Sequence, residues 1–308
     1  MSSASAPYYA DDLSQVDGPL LLNEPVAEAT YRLRVAAPPI AQRFRPGQFV
    51  MLRMHGVDSP LIGRALAIYD SAPGPDGRPE TIDLIYLRKG ALTVPLSDAP
   101  VGTMVSLWGP LGNGFATRPC RTLVLAVGGI GQTPMLVAGR EALRRGWAER
   151  VELVFGARRA SLLAGLDDFR DAGFQVTACT DDGSLGQQAL VPDVVAERLD
   201  QLARPATGDP GQPKETGQPV ETAREASQSD RVACRVITCG PEIMMEKVSE
   251  VCRQRGIDCQ VSMETPMACG IGICFSCVAK VQQGDGTWDY KRTCVEGPVF
   301  DAEKICWS

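Results

Sequence analysis

Four cysteines near the end of the chain carry the most specific chemistry in the sequence. Cys269, Cys274 and Cys277 fall in Cys269-Gly-Ile-Gly-Ile-Cys274-Phe-Ser-Cys277, and Cys294 follows. C-x4-C-x2-C with a distant fourth cysteine is the plant-type spacing for a [2Fe–2S] cluster. Two irons need four converging thiolates, so one tight loop must supply three of them. Gly270 and Gly272 let that loop take positive φ angles and approach closely, and its amides can then point at the sulfurs. Structural zinc is the rival reading. A four-cysteine zinc site is usually built from two short C-x2-4-C pairs, which three cysteines in one loop match poorly. The remaining cysteines, 120, 179, 234, 239, 252, 259 and 306, read as small buried hydrophobes, with Cys239 the exception.

Cys239 opens the stretch Cys239-Gly-Pro-Glu-Ile-Met-Met245, which follows a strand-like run and begins a helix-like one. A second turn, Val127-Gly-Gly-Ile-Gly-Gln-Thr-Pro134, has the same setting. Its glycines allow a backbone to approach a pyrophosphate, and the helix start behind them supplies oriented N–H donors. Pro134 suits a first helical turn. Together the two turns belong at the carboxyl edge of one sheet, where α/β domains bind ligands.

The elements that must position these turns divide the chain. Residues 1–19 read as a tail. Residues 20–118 are β-rich, with strands expected at Ala29–Val35, Gly47–Arg53 and Thr81–Leu87 separated by Pro/Gly clusters, which suggests a small antiparallel barrel. From 119 to 258, strands near 122–127, 151–155, 175–179 and 236–239 alternate with helices near 134–145, 162–172, 190–202 and 241–255. That alternation predicts a doubly wound α/β domain. Residues 203–231, rich in Pro, Gly and polar residues, read as a disordered surface insertion. Residues 259–308 form a cysteine-rich module. The fold class is therefore a multidomain α+β protein.

Composition narrows the function. The chain has 308 residues and a net charge of −6, which gives no footprint for nucleic acid or an anionic membrane. No apolar run approaches the roughly 18 residues of a membrane span, and the first residues lack the features of a secretory signal, so a cytoplasmic protein is the expectation. Eleven cysteines, an odd number, argue against a disulfide framework. His55 is the single histidine and reads as a surface residue, so chemistry must come mainly from cofactors or carboxylates.

Several stretches in combination resemble the electron-transfer subunits of class B dihydroorotate dehydrogenase, within the ferredoxin–NADP reductase superfamily. They are Gly109-Pro-Leu-Gly-Asn-Gly-Phe115, Thr180-Asp-Asp-Gly-Ser-Leu-Gly186, Met267-Ala-Cys-Gly-Ile-Gly-Ile-Cys274 and Tyr290-Lys-Arg-Thr-Cys-Val-Glu-Gly-Pro-Val-Phe300. The resemblance covers residues 20–308 apart from the insertion. It implies that the barrel binds FAD, through Arg64, Ala65, Leu66 and Ala67, then Ile85, Tyr86 and Leu87, then Gly90 and Thr93. The family's R-P-x-S is here Arg64-Ala-Leu-Ala67, which keeps the cation and loses the proline and hydroxyl. It implies NAD at Gly128, Gly129, Gly131, Thr133 and Pro134, with Cys239, Gly240 and Pro241 beside the nicotinamide. Arg158 and Arg159 would welcome a 2′-phosphate and Asp181 and Asp182 would repel one; the resemblance favours NAD. It also implies an FMN-containing catalytic partner in a two-plus-two heterotetramer, with electrons passing from FMN through [2Fe–2S] and FAD to NAD⁺ in pyrimidine biosynthesis. The alternative is the same cofactor set serving another partner, as in sulfide dehydrogenases, hydrogenases or NAD(P)H:ferredoxin oxidoreductases.

Overall fold

The computed structural model describes residues 13–56, 60–116, 118–203 and 232–307. Six strands, β1 (Ser14–Ala27), β2 (Thr30–Ala36), β3 (Phe49–Met54), β4 (Arg64–Pro73), β5 (Pro79–Leu87) and β6 (Met104–Leu111), close into an antiparallel barrel in the order β1-β2-β5-β4-β3-β6, with short helices α1 (Pro38–Ala41) and α2 (Thr93–Ser97) in its connections. The alternation in β2 sends Leu33 and Val35 inward, where they meet Leu20, Val50, Ile68, Leu84 and Leu107. Arg32 and Arg34 on the other face both bond Asp83, whose side chain is fully buried. A buried carboxylate is tolerated only when paired in this way.

The tail expected over 1–19 ends earlier than its composition suggested. β1 begins at Ser14 and pairs with β6 from Ser14↔Gly109 to Pro19↔Met104, then with β2 through two register shifts. Its residues do not alternate cleanly; partners on both sides make it a strand, and no local pattern records them.

A second sheet has the order β10-β9-β8-β7-β11-β12-β15. Its strands are β7 (Cys120–Gly128), β8 (Ala148–Ala157), β9 (Gln175–Thr180), β10 (Gln187–Gln188), β11 (Val232–Cys239), β12 (Cys259–Ser262) and β15 (Val299–Asp301). All pair in parallel except β15, which runs antiparallel to β12. Helices α3 (Met135–Arg144), α4 (Leu166–Asp171), α5 (Val191–Ala203) and α6 (Glu242–Gln254) cover it. The apolar run of β7 is divided between two cores. Val124 and Ala126 pack with α5 and α6 residues such as Val195, Leu199 and Val248, while Leu123, Leu125 and Val127 pack with Leu136 and Phe169. Each buried Val, Leu or Phe among these gains roughly 1.5–3 kcal/mol from burial. The close fit on the α3 side depends on Gly139, where a Cβ would lie 2.2 Å from the Phe174 ring.

Two expectations change here. The helix read over 162–172 is shorter, because Ala160–Leu162 forms a 3-10 turn and Gly165, at φ 72°, precedes α4. The segment read as a separate module from 259 onward gives two strands to the sheet, so β12 and β15 cover what would otherwise be an exposed β11 edge. The insertion expected over 203–231 lies outside the described residues, apart from Ala203 at the end of α5.

Between β12 and β15 the chain makes the cysteine loop and a hairpin, β13 (Val278–Gln282) and β14 (Trp288–Arg292). The barrel and the α/β unit are bound across their seam. The Tyr69 hydroxyl donates to Asp168 at 2.7 Å, Arg32 bridges Asp83 and Asp168, and Arg140 meets Asp70. Among the described residues no helix is long and apolar enough to cross a membrane.

Candidate functional site

The seam opens into a cleft of about 650 Å³, within the range that holds cofactors. Its barrel wall is made by Arg64, Ala65, Leu66 and Ala67 of β4, Ile85, Tyr86 and Leu87 of β5, and Gly90 and Thr93 beyond β5. The other wall includes Thr133, Pro134 and Cys239. The flavin set and three residues of the dinucleotide set thus face one space.

Arg64 is exposed in this cleft and has no ion-pair partner among the described residues. Its guanidinium lies near Gly90, whose φ is 91° and where a Cβ would stand 3.9 Å from an Arg64 terminal nitrogen. A free guanidinium beside an open backbone suits a phosphate. The Thr93 hydroxyl is spent locally: it accepts from the Lys89 amide at 2.8 Å and donates to the Lys89 carbonyl at 2.6 Å. Thr93 therefore holds the loop that frames the cleft. Tyr86 likewise turns its hydroxyl away, donating to Asn23 at 2.9 Å.

On the α/β side, β7 delivers Gly128 and Gly129 to a 3-10 turn that leads into α3, and β11 delivers Cys239 and Gly240 to α6. The two turns touch. A Cβ at Gly131 would sit 2.3 Å from the Cys239 carbonyl oxygen, and one at Gly240 would sit 2.9 Å from the Gly128 nitrogen. Of the assigned residues, Gly128, Gly129, Gly131, Gly240 and Pro241 form these turns behind the wall, and only Thr133, Pro134 and Cys239 line it. Gln132, in the same turn, is 1% exposed, and neither of its side-chain polar atoms has a partner among the described residues. Burial pushes the Cys239 thiol well above its ordinary range, with the nearby Glu264 carboxylate acting in the same direction, so Cys239 stays neutral.

Sequence reasoning missed the floor of the cleft: Ser262, Met263, Glu264, Thr265, Pro266 and Met267, with Phe49 and Pro298. Their signal was position, since they leave the carboxyl end of a strand in the same sheet. Glu264 reaches solvent through the cleft mouth yet is walled by protein on most sides, and this burial raises its carboxyl above the usual range.

The four cysteines lie next to this floor. Gly270 and Gly272, at φ 73° and 80°, and Phe275, at φ 57°, curl the loop. A Cβ at Gly270 would meet Met51 at 2.6 Å, so the loop lies flush on β3. The Trp108 indole donates to the Cys269 carbonyl at 3.1 Å, and Arg292 donates to the Gly272 carbonyl at 2.9 Å. The thiols meet in two pairs. Cys274 lies beside Cys269, and Cys294 beside Cys277, close enough for each pair to influence its own titration. Thr293 secures the second pair by donating its amide to the Cys277 carbonyl at 2.7 Å. Bonds chiefly from Ser276, and also from Cys269, push the Cys274 thiol down to about 6, while burial pushes Cys294 up to about 12. The Ile271 amide points at the Cys269 sulfur at 3.4 Å.

Among the described residues no three His, Cys, Asp or Glu side chains gather as they would around one metal ion. A two-by-two arrangement suits a two-iron cluster, which takes two thiolates per iron, better than a single tetrahedral ion. Cys277 and Cys294 pack with Phe49, Met51 and Leu111, and against Ala65 and Met267. Phe49, Ala65 and Met267 also line the cleft, so one layer of side chains separates the thiols from it.

Residues 264–306 match the family of the iron-sulfur cluster binding domain of dihydroorotate dehydrogenase B. Over most of its length the chain is similar to curated dihydroorotate dehydrogenase B (NAD(+)) electron transfer subunits. The protein of Desulforamulus reducens is 31% identical, covering 92% of this chain and 94% of the relative. A probable subunit of Methanocaldococcus jannaschii is 32% identical, covering 85% and 81%. Among solved structures, an NADH-dependent reduced ferredoxin–NADP oxidoreductase, described for flavin-based electron bifurcation, superposes with a TM-score of 0.71 at 25% identity, covering 94% of this chain and 90% of that one. A Neisseria gonorrhoeae ferredoxin NADP⁺ reductase, at 16% identity and a TM-score of 0.56 over 79% and 92%, shares the fold. A barrel and a doubly wound sheet meeting at a cleft, with paired cysteines one residue layer away, accord with this kinship, and the chain belongs to the family of dihydroorotate dehydrogenase B electron transfer subunits.

Proposed function

We propose that the chain relays electrons between NAD(H) and an FMN-containing dihydroorotate dehydrogenase catalytic subunit in pyrimidine biosynthesis, using FAD in the cleft and a [2Fe–2S] cluster on Cys269, Cys274, Cys277 and Cys294. The observation that carries this reading is the shared layer of Phe49, Ala65 and Met267, which touches both the cleft and the buried thiols. A bound flavin exchanges hydride on one side and single electrons on the other, and a cluster only single electrons. The chain's own residues do the positioning. Arg64 offers a free cation to a flavin pyrophosphate. The contacting turns at Gly131 and Cys239 offer backbone amides to NAD(H) and keep an uncharged thiol beside it. Gly270 and Trp108 hold the cluster loop against the barrel.

On this reading no acid–base residue of this chain need act on dihydroorotate; the catalytic subunit does so, in a complex of two copies of each chain in the cytoplasm. A second reading keeps the cofactors and changes the partner. It is favoured by Arg64-Ala-Leu-Ala67, which lacks the family's proline and hydroxyl, and by the 0.71 TM-score to the ferredoxin–NADP oxidoreductase. The test is anaerobic: dihydroorotate and NAD⁺ are added to the chain with and without its co-purified partner, and NADH absorbance is followed. NADH formed only with the partner is the expected result. No NADH, with flavin bleached by added NADH, would transfer the chain to the second reading.

A further inference from the structure

The dinucleotide site assigned above has a feature contributed by the barrel. In doubly wound domains the ribose 2′ group is read just beyond the strand that follows the glycine turn, by an acid for NAD or an arginine for NADP. Here that position follows β8 and holds Arg158 and Arg159, both exposed. The end of β9 runs beside it, since the amides of Asp181 and Asp182 donate to the carbonyls of Ala157 and Arg158 at 3.1 and 3.2 Å.

These four charges are not equally available. Arg158 makes no ion pair within 4 Å among the described residues, though it stands close enough to Glu28 to help hold that carboxyl down, behind Ser161 and Arg159. Arg159 is held by Glu28, which sits in the β1–β2 turn of the barrel, and it also reaches the Ser161 hydroxyl at 3.2 Å. The Ser161 hydroxyl donates to the same Glu28 carboxylate at 2.6 Å, and the Glu28 amide donates to the Ser161 carbonyl at 2.8 Å. Asp182 accepts from the Ser184 amide at 2.9 Å and its hydroxyl at 2.6 Å, which keeps it ionised at this edge. With Arg159 withdrawn, a 2′ substituent at this edge meets the Arg158 guanidinium and the Asp182 carboxylate, which Ser184 ties to the Ala160 amide. A 2′-hydroxyl can donate to a carboxylate; a 2′-phosphate is repelled by it.

We propose that Glu28, a barrel residue, sets the dinucleotide preference of the α/β domain by holding Arg159 away from the ribose 2′ position, which leaves the site selective for NAD(H) over NADP(H). The proposal rests on the reading of this edge as a nicotinamide dinucleotide site. Glu28 is a positioning residue and acts only through Arg159.

The test compares 5′-AMP with 2′,5′-ADP by calorimetry, and NADH with NADPH by flavin-dependent ferricyanide reduction, in the full chain. The wild type should favour 5′-AMP and NADH. Glu28→Gln should move both ratios toward the phosphorylated ligand by roughly two- to fivefold, the scale of one exposed charge pair. Arg159→Ala in the Glu28→Gln background should cancel that gain, as coupled residues require. Unchanged ratios in Glu28→Gln, or a wild type that already prefers 2′,5′-ADP, would overturn the proposal. If neither nucleotide binds the wild type while the flavin is retained, the dinucleotide reading itself fails, and the proposal with it.

Discussion

On the proposed function, the two glycine-rich loops of this protein use their side chains in opposite ways. In the loop from Cys269 to Cys277 the working atoms are side-chain sulfurs, and the glycines only bend the backbone to present them. In the turn from Gly128 to Pro134 the working atoms are backbone amides, and the glycines matter because they have no side chain. Gly131 is packed so closely on the Cys239 carbonyl that a Cβ would be 2.3 Å away. A loop of the first kind should be destroyed by changing one donor atom. A loop of the second should tolerate changes in chemistry and fail when a methyl group is added.

The largest effect expected from this contrast is at Cys277. Cys277→Ser breaks the buried thiol pair, so iron and labile sulfide should be almost wholly lost and the electron paramagnetic resonance signal of the reduced protein should vanish. FAD should remain, and NADH should still bleach it. Loss of the flavin as well would show that the two regions are not separable. Next in size is Gly131→Ala. Overpacking of this kind costs roughly 1–3 kcal/mol, so kcat/KM for NADH should fall about ten- to a hundredfold with the cluster intact. An alanine variant with unchanged kinetics would break the contrast. Arg64→Ala removes a free cation of the cleft and should weaken FAD binding by roughly ten- to a hundredfold, read by flavin fluorescence on dilution, since a charge-assisted bond contributes roughly 1.5–3 kcal/mol.

The smallest effect concerns Glu264. Its carboxyl is raised by burial, so the folded state holds this proton to higher pH than the unfolded chain does. The folded state is therefore progressively disfavoured as pH rises from the ordinary carboxylate range through the raised value, and this cost is complete above it. Glu264→Gln removes the ionisation. Its melting temperature should match the wild type in acid and exceed it near neutrality, and a difference independent of pH would show that Glu264 does not titrate in this way.

These regions also differ in how much of them could be read in advance. The cysteine spacing announces its chemistry because thiolates must come from side chains, and side chains are what a sequence records. The parallel strands of the α/β unit were legible for a related reason: a strand buried on both faces, such as β7, must be apolar along its whole length. β1 was hidden, since its residues alternate poorly and it is a strand only because β2 and β6 flank it. The cleft floor from Ser262 to Met267 was hidden too, because β12 had first to be recognised as part of the sheet.

By itself the sequence determined the four thiols, the two glycine turns, the order of barrel and sheet, and the kinship these imply, all of which rest on residue types at short spacing. Tertiary structure alone decided what lies next to what. It divided the thiols into two pairs, laid Gly270 on Met51, turned the Thr93 hydroxyl inward on its own loop, and placed Glu28 of the barrel on Arg159 of the other domain. Such contacts join residues far apart in the chain, and their partners are chosen by how whole domains pack, which no local pattern of residues encodes.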